Sequence, residues 1–549
     1  MRSPLLVFAT LIGVLVALPV LSVGANLFAG GTNETWRHLA DTVLTDYVVN
    51  SLWLCVGVAV GVGSMGTTMA WLTAMHEFPG RRVLEWALLL PMAMPAYVLA
   101  YTYTDFLQFV GPVQTGLRET FGWSKADYWF PEVRSLPGAI TMFSCVLYPY
   151  VFLVVRTAFL ERGGSLGEAA RVLGLTPWQA FWRVSLPLAR PALATGVALA
   201  LMETLADYGT VAYFAVPTFT TGIYRAWFSL GDRVAAAQLS ACLLGFVFLL
   251  LALERFSRGR ARYHEVGTRR RVVRTHLSGW RGWLALVACL LPLLVGFVIP
   301  GSLLLNMAMG ETESAFGPRF LSLAQNSLTL AGLAAVLAAG FALLLGYSAR
   351  QAERTRGFGK LAVRFGNRMV GLGYAVPGSV IAVGVLIPVT RLDHALGALW
   401  QEMGGANPGL ILTGGIAALV YAYLARFLSI ALQTVEAGIV RITPSMDDAA
   451  RSLGCSSGEV LKRVHLPILS GSMLTAALLV FVDVMKELPA TLVMRPFNFE
   501  TLATQTYTLA ADERLTEASI AALAIVLVGL VPIIVLARQI SSGRQTTSC

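Results

Sequence analysis

Residues Glu168 to Pro187 read EAARVLGLTPWQAFWRVSLP, a polar, helix-prone stretch between two long apolar runs. The pattern returns at Asp448 to Pro467, which read DAARSLGCSSGEVLKRVHLP. Matched identical positions, each offset by 280 residues, include Ala169/Ala449, Ala170/Ala450, Arg171/Arg451, Leu173/Leu453, Gly174/Gly454, Val184/Val464, Leu186/Leu466 and Pro187/Pro467. A repeat at one fixed offset indicates that the chain contains two copies of one unit.

The composition of the chain is that of an integral membrane protein. Hydrophobic residues make up 56% of the 549 residues and charged residues only 13%, whereas soluble domains have about 25% charged residues. The net charge is +10, from 41 basic and 31 acidic residues. Because the basic residues fall in short loops between apolar runs, they favour a membrane topology over nucleic-acid binding.

The apolar runs predict an all-α protein with about 12 transmembrane helices in two tandem halves of six. The predicted spans are 5–25, 46–74, 84–110, 137–160, 188–215, 234–254, 283–308, 323–348, 369–390, 409–432, 468–494 and 516–537. The first run could be a cleaved signal peptide or a retained anchor, and its length favours the anchor.

The repeat and the spans predict three regions. The first half, 1–254, carries its polar segment in loop 161–187, and the second half, 282–549, carries its own in loop 433–467. Between them, linker 255–281 holds nine arginines and one acid, Glu265.

Most Lys and Arg residues fall in the loops on the side of the N-terminus, including both polar segments and the linker. The positive-inside rule therefore predicts that both termini and both segments are cytoplasmic. Six spans per half bring both halves in from the same side, so we expect a pseudo-two-fold axis along the membrane normal.

Both segments carry signals that end and restart a helix. An acid opens each segment, at Glu168 and Asp448, and acids suit a helix N-terminus. A glycine six residues later is predicted to end the helix. Thr176 and Pro177 then restart a helix in the first copy, and a final Leu-Pro pair marks the return to the membrane. These signals predict a short helix that lies across the cytoplasmic face and is presented to a partner.

The pattern resembles the EAA loop of binding-protein-dependent ABC importer permeases, which has Glu-Ala-Ala, a glycine four residues after the second alanine, and a later Leu-Pro. Both copies match without a gap, with Asp448 in place of glutamate. The resemblance implies the MetI-like permease fold and loops that couple to ATPase subunits. The coupling residues that it implies are Glu168, Ala169, Ala170, Gly174, Leu186, Pro187, Asp448, Ala449, Ala450, Gly454, Leu466 and Pro467.

A permease with two fused halves resembles the ferric-iron importer type. The stretch GYAVPGSV at 373–380 is similar to a segment typical of that type, whereas its counterpart at 93–101 has diverged. The resemblance implies that the chain moves ferric iron delivered by an external binding protein. A permease for thiamine, phosphonate or polyamine remains an alternative within the family.

The same resemblance implies the partners and the location. The chain has no GxxxxGK[ST] motif, so we expect ATP hydrolysis on a separate subunit. Two segments imply two ATPase copies per permease chain. The resemblance also implies a periplasmic or extracellular binding protein and multi-pass insertion in the bacterial plasma (inner) membrane. No cofactor, catalytic residue, nucleic-acid partner or fixed metal site is expected. An ion-coupled secondary transporter and a membrane-embedded enzyme are rivals of other classes.

Two pairs of acids lie within predicted spans. A charge at the bilayer centre costs about 2.5–3.5 kcal/mol on insertion scales, so these acids are expected to face the protein interior or water. They either form ion pairs, with Arg156, Arg426 or Lys486 as basic candidates, or line the path of a cation. The candidate path residues are Glu203, Asp207, Tyr208, Asp483, Lys486 and Glu487.

Overall fold

The computed structural model describes residues 4–28, 33–172, 174–258, 274–310, 317–353 and 358–542. These ranges are almost entirely helical. The helices of the first half are α1 (Pro4–Asn26), α2 (Asn33–Thr42), α3 (Leu44–Met75), α4 (Arg81–Ala87), α5 (Ala96–Leu107), α6 (Pro112–Phe121), α7 (Leu136–Val172), α8 (Pro177–Ala180), α9 (Leu186–Ala206), α10 (Gly209–Tyr213), α11 (Phe219–Tyr224) and α12 (Arg233–Arg258).

The second half has the same number of α-helices. They are α13 (Trp280–Leu293), α14 (Ile299–Gly310), α15 (Pro318–Glu353), α16 (Phe358–Leu372), α17 (Gly378–Glu402), α18 (Ala417–Ile439), α19 (Pro444–Ser452), α20 (Ser457–Val460), α21 (Leu466–Met485), α22 (Pro489–Met494), α23 (Leu502–Ala511) and α24 (Leu515–Ser542). Short 3₁₀ segments cover Leu90–Ala93 and Gly373–Ala375, and π segments cover Phe181–Ser185, Arg225–Ser229, Leu294–Val298 and Leu461–His465.

The helices confirm the all-α membrane fold. Within the described ranges, eleven helices are long and apolar enough to cross a membrane, and one bent pair brings the number to twelve. That pair corresponds to predicted span 84–110, which is bent by 89° where Leu90–Ala93 meets α5. Predicted span 369–390 is also interrupted, by the 3₁₀ segment Gly373–Ala375. Both interruptions immediately precede a proline, Pro95 or Pro377, which disfavours helical backbone at the residue before it.

The chain divides into two compact units that each take segments from both halves of the sequence. Unit I comprises Met1–His38, Gly222–Leu244 and Phe316–Gln505, and unit II comprises Leu39–Thr221, Gly245–Ala315 and Thr506–Cys549. The first helix of the first half therefore belongs to unit I, whose other helices come mainly from the second half. The first helix of the second half likewise belongs to unit II.

In unit I, α15, α18 and α21 pack on one another, and α1 packs on α16 and α17. Glycines allow the close approach of α1. A Cβ at Gly384 would lie 2.3 Å from the carbonyl oxygen of Pro19, and a Cβ at Gly13 would lie 2.6 Å from Gly366 Cα. Small residues at helix contacts are the usual way for membrane helices to pack closely.

In unit II, α3, α7 and α9 form the corresponding trio. Gly66 of α3 and Gly196 of α9 both face Val151 of α7, at 2.6 and 2.7 Å from where their Cβ atoms would be. The π segment Leu294–Val298, between α13 and α14, packs closely on α7. Its Gly296 has room only for a hydrogen beside the carbonyl oxygen of Cys145.

The end of the basic linker is fixed to unit II. Strand β1 (His76–Glu77) pairs in parallel with β2 (Thr275–His276), and Arg274 Nε donates to the carbonyl oxygen of Ala74 at 3.2 Å. Residues 259–273 of the predicted linker lie outside the described residues.

A buried ion-pair cluster joins α4 to α7 in unit II. Arg81 is 4% exposed and pairs with Glu85 and, at 2.9 Å, with Glu77. Arg156 Nη2 lies 3.3 Å from Glu85 Oε1. The sequence placed Arg81 in a short loop and named Arg156 as a candidate partner of the membrane acids. Both expectations are wrong, because α4 starts at Arg81 and carries Glu85 one turn later, where it meets both arginines.

Candidate functional site: two matched segments and the membrane acids

The repeated loops are named segment 1 (161–187) and segment 2 (433–467). Segment 1 begins as the end of a membrane helix. Helix α7 runs from Leu136 to Val172, so Glu168, Ala169 and Ala170 lie in its last two turns. The prediction that Glu168 opens a helix is therefore wrong, since the chain has no proline between Pro149 and Pro177 to end α7 earlier. The side chains of 162–172, and all of Leu173, lie outside the described residues.

Segment 2 has a separate helix in this place. Helix α19 begins at Pro444, directly after its N-cap residue Thr443. Asp448 and Ala449 are exposed in the middle of α19, whereas Ala450 is buried. Asp448 therefore does not open the helix either, because the Thr-Pro pair that starts it lies one turn earlier.

A glycine in the left-handed conformation ends the helix in each segment, as the sequence predicted. The φ angle is 72° at Gly174 and 85° at Gly454. A side chain at either position would find open space around its Cβ but would force strained backbone. The glycines are therefore required by backbone geometry and not by packing.

A capping box follows each glycine. In segment 1, Thr176 Oγ1 accepts from the Gln179 amide at 3.3 Å, and Gln179 Oε1 accepts from the Thr176 amide at 3.1 Å. In segment 2, Ser456 and Glu459 make the same two bonds, at 3.4 and 2.8 Å. The Thr-Pro start predicted for the first copy is confirmed. The Ser-x-x-Glu start of the second copy was missed, although its spacing is a known helix-start signal.

Each capped helix runs without interruption into a membrane span. Helices α8 and α20 continue as π segments, Phe181–Ser185 and Leu461–His465, at the same offset of 280 residues. The Leu-Pro pairs, Leu186 and Pro187 in one copy and Leu466 and Pro467 in the other, then open α9 and α21. One π turn recurring at both sites agrees with the frequent use of such turns at functional positions.

The segments expose apolar side chains. Trp178 is 61% exposed and Trp182 is 51% exposed in segment 1, and Leu453 is 84% exposed in segment 2. Among the described residues, segment 1 thus presents two indoles, and segment 2 presents aliphatic side chains that include Leu453 beside its glycine.

Aromatic contacts attach segment 1 to unit II. The ring of Phe181, on the π turn, lies 4.8 Å from that of Trp71 near the end of α3. Trp178 stacks on Phe181 at 5.9 Å, and Trp71 also meets His76 edge-on at 4.4 Å. Burial lowers the pKa of His76, which favours the neutral ring in this cluster.

A polar cluster attaches segment 2 to unit I. Asp447 on α19 receives hydrogen bonds from Arg350 Nε of α15 and from His465 Nε2 of the π turn, both at 2.8 Å. Arg350 Nη1 also donates to the carbonyl oxygen of Ile442 at 2.7 Å. Burial opposes the ionisation of Asp447, but the bonds and charges of His465 and Arg350 hold the pKa of this carboxyl below its ordinary value.

The sequence did not reveal this cluster. His465 falls in predicted loop 433–467, where a histidine is expected to be solvated, yet it is 0% exposed and packs edge-on against Tyr347 at 4.9 Å. The expectation failed because the π turn directs position 465 toward α15, about 115 residues earlier in the chain. The available signal was that the positions 280 residues earlier, Gly167 and Ser185, lack both an acid and an imidazole.

Among the membrane acids of unit I, Glu487 is occupied by protein groups. Its carboxylate accepts from the amides of Ala490 and Thr491, at 2.9 and 3.0 Å, and so caps α22. It also accepts from the Thr491 hydroxyl at 2.6 Å and pairs with Arg426 of α18 at 3.2 Å. A Cβ at Gly378 would meet this pair at 2.6 and 2.8 Å. The ion-pairing alternative therefore describes Glu487 better than the cation-path alternative.

The other acid of this unit is also paired. Asp483 Oδ1 lies 2.9 Å from Lys486 Nζ, and their side chains are 16% and 29% exposed. This pair is one turn along the helix, as the spacing of three suggests.

The acids of unit II have a different environment. Asp207 Oδ1 caps α10 by accepting from the Thr210 amide at 2.8 Å. Glu203 is half-buried on α9, and no described residue makes a hydrogen bond or ion pair with its carboxylate. The ring of Tyr208 lies 5.7 Å from that of Tyr507 on α23. Glu203 and Asp207, which are equivalent to Asp483 and Glu487, thus lie without a basic partner among the described residues. They are the better candidates for meeting a cation.

The residues that the structure describes include no group of three His, Cys, Asp or Glu side chains placed to hold a metal ion. Two tyrosines of α18 make hydrogen bonds within unit I. Tyr423 shares a hydrogen bond with Thr491 at 2.7 Å, and Tyr421 donates to the carbonyl oxygen of Leu15 on α1.

Comparison with known proteins gives a family match over the first segment. A family model described as the binding-protein-dependent transport system inner membrane component matches residues 64–262. This range includes segment 1 and the spans on both sides of it.

Similarity to individual proteins covers more of the chain. The Fe(3+)-transport system permease protein FbpB 2 of Haemophilus influenzae is 26% identical over 532 residues, which are 96% of each chain. The sulfate transport system permease protein CysT of Escherichia coli is 29% identical over 36% of this chain and 69% of its own. The molybdenum transport system permease protein ModB of Escherichia coli is 28% identical over 42% of this chain and 98% of its own.

These matches agree with the two segments of equal backbone geometry and with the eleven or twelve candidate spans. Over residues 64–262, the chain matches the family of binding-protein-dependent transport system inner membrane components.

Proposed function

We propose that this chain is the transmembrane permease subunit of an ATP-binding-cassette importer that moves ferric iron into the cytoplasm. The observation that carries the proposal is the similarity to an Fe(3+)-transport permease over 96% of both chains. The sulfate and molybdenum permeases match less than half of this chain. Their substrates are therefore the weaker expectation for a protein with two fused halves.

ATP hydrolysis is assigned to a separate subunit. The chain has no phosphate-binding GxxxxGK[ST] motif. Two segments with the same glycine, capping box and π turn support the docking of two ATPase copies on one permease chain. The coupling residues remain those named from the sequence, from Glu168 to Pro187 and from Asp448 to Pro467. Both termini and both segments are proposed to be cytoplasmic, with the binding protein on the opposite side.

The geometry suggests how the segments would transmit movement. Each capped helix continues through its π turn into α9 or α21 without a flexible loop. A displacement of the docked ATPase would therefore reach the span directly. Because α9 ends at Ala206, beside Asp207, movement of this helix would also shift the acids that are candidates for meeting the cation.

The proposal is tested by reconstitution. The permease is placed in proteoliposomes together with an ABC ATPase and a binding protein from the same organism, and uptake of radioactive ferric iron is measured with ATP inside. We expect ATP-dependent uptake that excess sulfate, molybdate, thiamine, phosphonate or polyamine does not inhibit. Competition by one of these would reassign the substrate.

Two further results separate the classes. Uptake driven by an ion gradient in the absence of ATP would contradict the importer assignment and support a secondary transporter. Native mass spectrometry should find one permease chain with two ATPase subunits, and two permease chains in one complex would contradict the proposed stoichiometry.

A further inference from the structure

The two segments are attached to their spans by different chemistry. In the part of segment 1 that the structure describes, the contacts with α3 are between rings, with Phe181 packed on Trp71 and Trp178 beside it. Segment 2 relies on the polar cluster of Arg350, Asp447 and His465. The acid and the imidazole are both replaced in the first copy, by Gly167 and Ser185. The cluster is thus a property of one segment and not of the repeat.

The cluster joins three elements of unit I. Asp447 lies on α19, Arg350 lies in the last turn of α15, and His465 is the residue at which the π turn passes into α21. The second bond of Arg350, to the Ile442 carbonyl, also fixes the turn before α19. Arg350 therefore holds both the beginning and the first turn of the helix.

The environment of the cluster makes it rigid. Asp447 is 3% exposed and His465 is 0% exposed. A buried carboxylate that lost either partner would have no water to replace it, so the three side chains hold one arrangement. The surface pair in the same segment is different, since Arg463 and Glu459 lie 3.8 Å apart and are 72% and 46% exposed.

We propose that Arg350, Asp447 and His465 are positioning residues that make segment 2 move as one body with α15 and α21. The proposal rests on the coupling role proposed above for the two segments. The ATP-driven movement that enters at each segment is called its input, and the two inputs are then transmitted by different contacts. The second input is transmitted through charge-assisted hydrogen bonds, and the first is transmitted through aromatic packing.

The test replaces Asp447 with Asn in the complete reconstituted complex. Asparagine keeps the size of the side chain and one acceptor oxygen, but it removes the charge that pairs with Arg350. We expect the assembled complex to hydrolyse ATP at a rate within two-fold of the parent, whereas substrate transported per ATP falls at least five-fold. In the double variant Asp447→Asn with Arg350→Gln, the bond of Arg350 to the Ile442 carbonyl is lost as well, and we expect transport per ATP to stay as low as in Asp447→Asn, because the three side chains act as one unit.

A second readout does not depend on transport. Amide hydrogen exchange in α19 should accelerate at least ten-fold in Asp447→Asn, with little change in α8 of segment 1. The matched control is Glu517→Gln, which weakens the exposed pair with Arg514 outside both segments, and both readouts should be unchanged in it. His465→Gln, which retains a donor, should give a smaller loss than His465→Leu.

Two outcomes would overturn the proposal. One is that Asp447→Asn lowers only the amount of assembled complex, with unchanged transport per ATP and unchanged exchange in α19. The other is that Glu517→Gln uncouples transport as strongly as Asp447→Asn. If the parent complex transports a substrate other than ferric iron, the iron assignment fails, but the ratio of transport to hydrolysis still tests the cluster. If the parent shows no ATP-dependent transport, the exchange measurement alone decides it.

Discussion

The buried pair of Arg426 and Glu487 leads to a quantitative prediction for stability. Replacing Arg426 with Met leaves the Glu487 carboxylate, which is 4% exposed, without its cation. Removing one partner of a buried ion pair typically costs about 3–5 kcal/mol. The amides of Ala490 and Thr491 still stabilise the negative charge. We therefore expect the free energy of unfolding to fall by about 3 kcal/mol, the lower end of that range.

The double variant Arg426→Met with Glu487→Met separates the pair from its surroundings. It has no unpaired buried charge, but it loses the bonds that cap α22, at about 1 kcal/mol each. We expect the losses of unfolding free energy in the two single variants, added together, to exceed the loss in the double variant by at least about 1 kcal/mol. A coupling of this size is typical of residues in contact.

The measurement is reversible unfolding in mixed micelles of SDS and dodecylmaltoside, followed by fluorescence of the 12 tryptophans. The matched control is Asp483→Asn with Lys486→Gln, which removes the more exposed pair and should cost less than about 1 kcal/mol. The reasoning would be refuted if Arg426→Met were as stable as the parent, or if the effects of the two single variants were additive.

Three further predictions concern transport, docking and pH. Asp207→Asn keeps an acceptor for the Thr210 amide but loses the charge, so uptake should fall about ten-fold, roughly 1.4 kcal/mol, with assembly intact; normal uptake by the assembled variant would end the path hypothesis. Gly174→Val and Gly454→Val should each strain the backbone by about 1–3 kcal/mol and weaken ATPase co-purification, and full activity of both would argue against docking there. The pKa of Asp447 is below its ordinary value of about 3.9, so its contribution to stability is present above that pH and is lost as the pH falls through the lowered pKa. Protease resistance of residues 444–465 should therefore be constant from pH 7 to about 4, and an Asp447-dependent loss between pH 6 and 5 would contradict the shift.

Local signals in the sequence predicted the features that depend on neighbouring residues. The spans follow from long apolar runs, and the ends of the helices at Gly174 and Gly454 follow from the conformational freedom of glycine. Thr176 and Pro177 start α8 as their residue types predict. These features need no knowledge of what packs against them.

Features that depend on distant contacts could not be predicted in the same way. Arg350 and Asp447 are 97 residues apart in sequence, and nothing in the neighbourhood of either residue indicates the other. Glu487 could be recognised as an intramembrane acid, but its capping of α22 depends on a bend that only the structure reveals. Arg81 resembled a loop residue because Arg156, which shares Glu85 with it, lies on α7, and α7 meets α4 only in the folded unit.

The exchange of first helices has a consequence for how the protein is made. Helix α1 ends at Asn26, but the first residue of its packing partner α16 is Phe358, about 330 residues later. Synthesis at roughly 5–20 residues per second separates the two by tens of seconds. During that interval α1 lacks α16 and α17, its main packing partners, so the lipid or the insertion machinery must hold it.

The sequence of α1 allows it to remain in the membrane before its partner helices are synthesised. From Pro4 to Asn26 it carries no charged residue and is apolar on all sides, so it can remain in hydrocarbon alone. A charged substitution that α1 would tolerate once packed against α16 and α17 could still block biogenesis. Mutations in this helix should therefore lower the yield of the protein before they lower the activity of the molecules that fold.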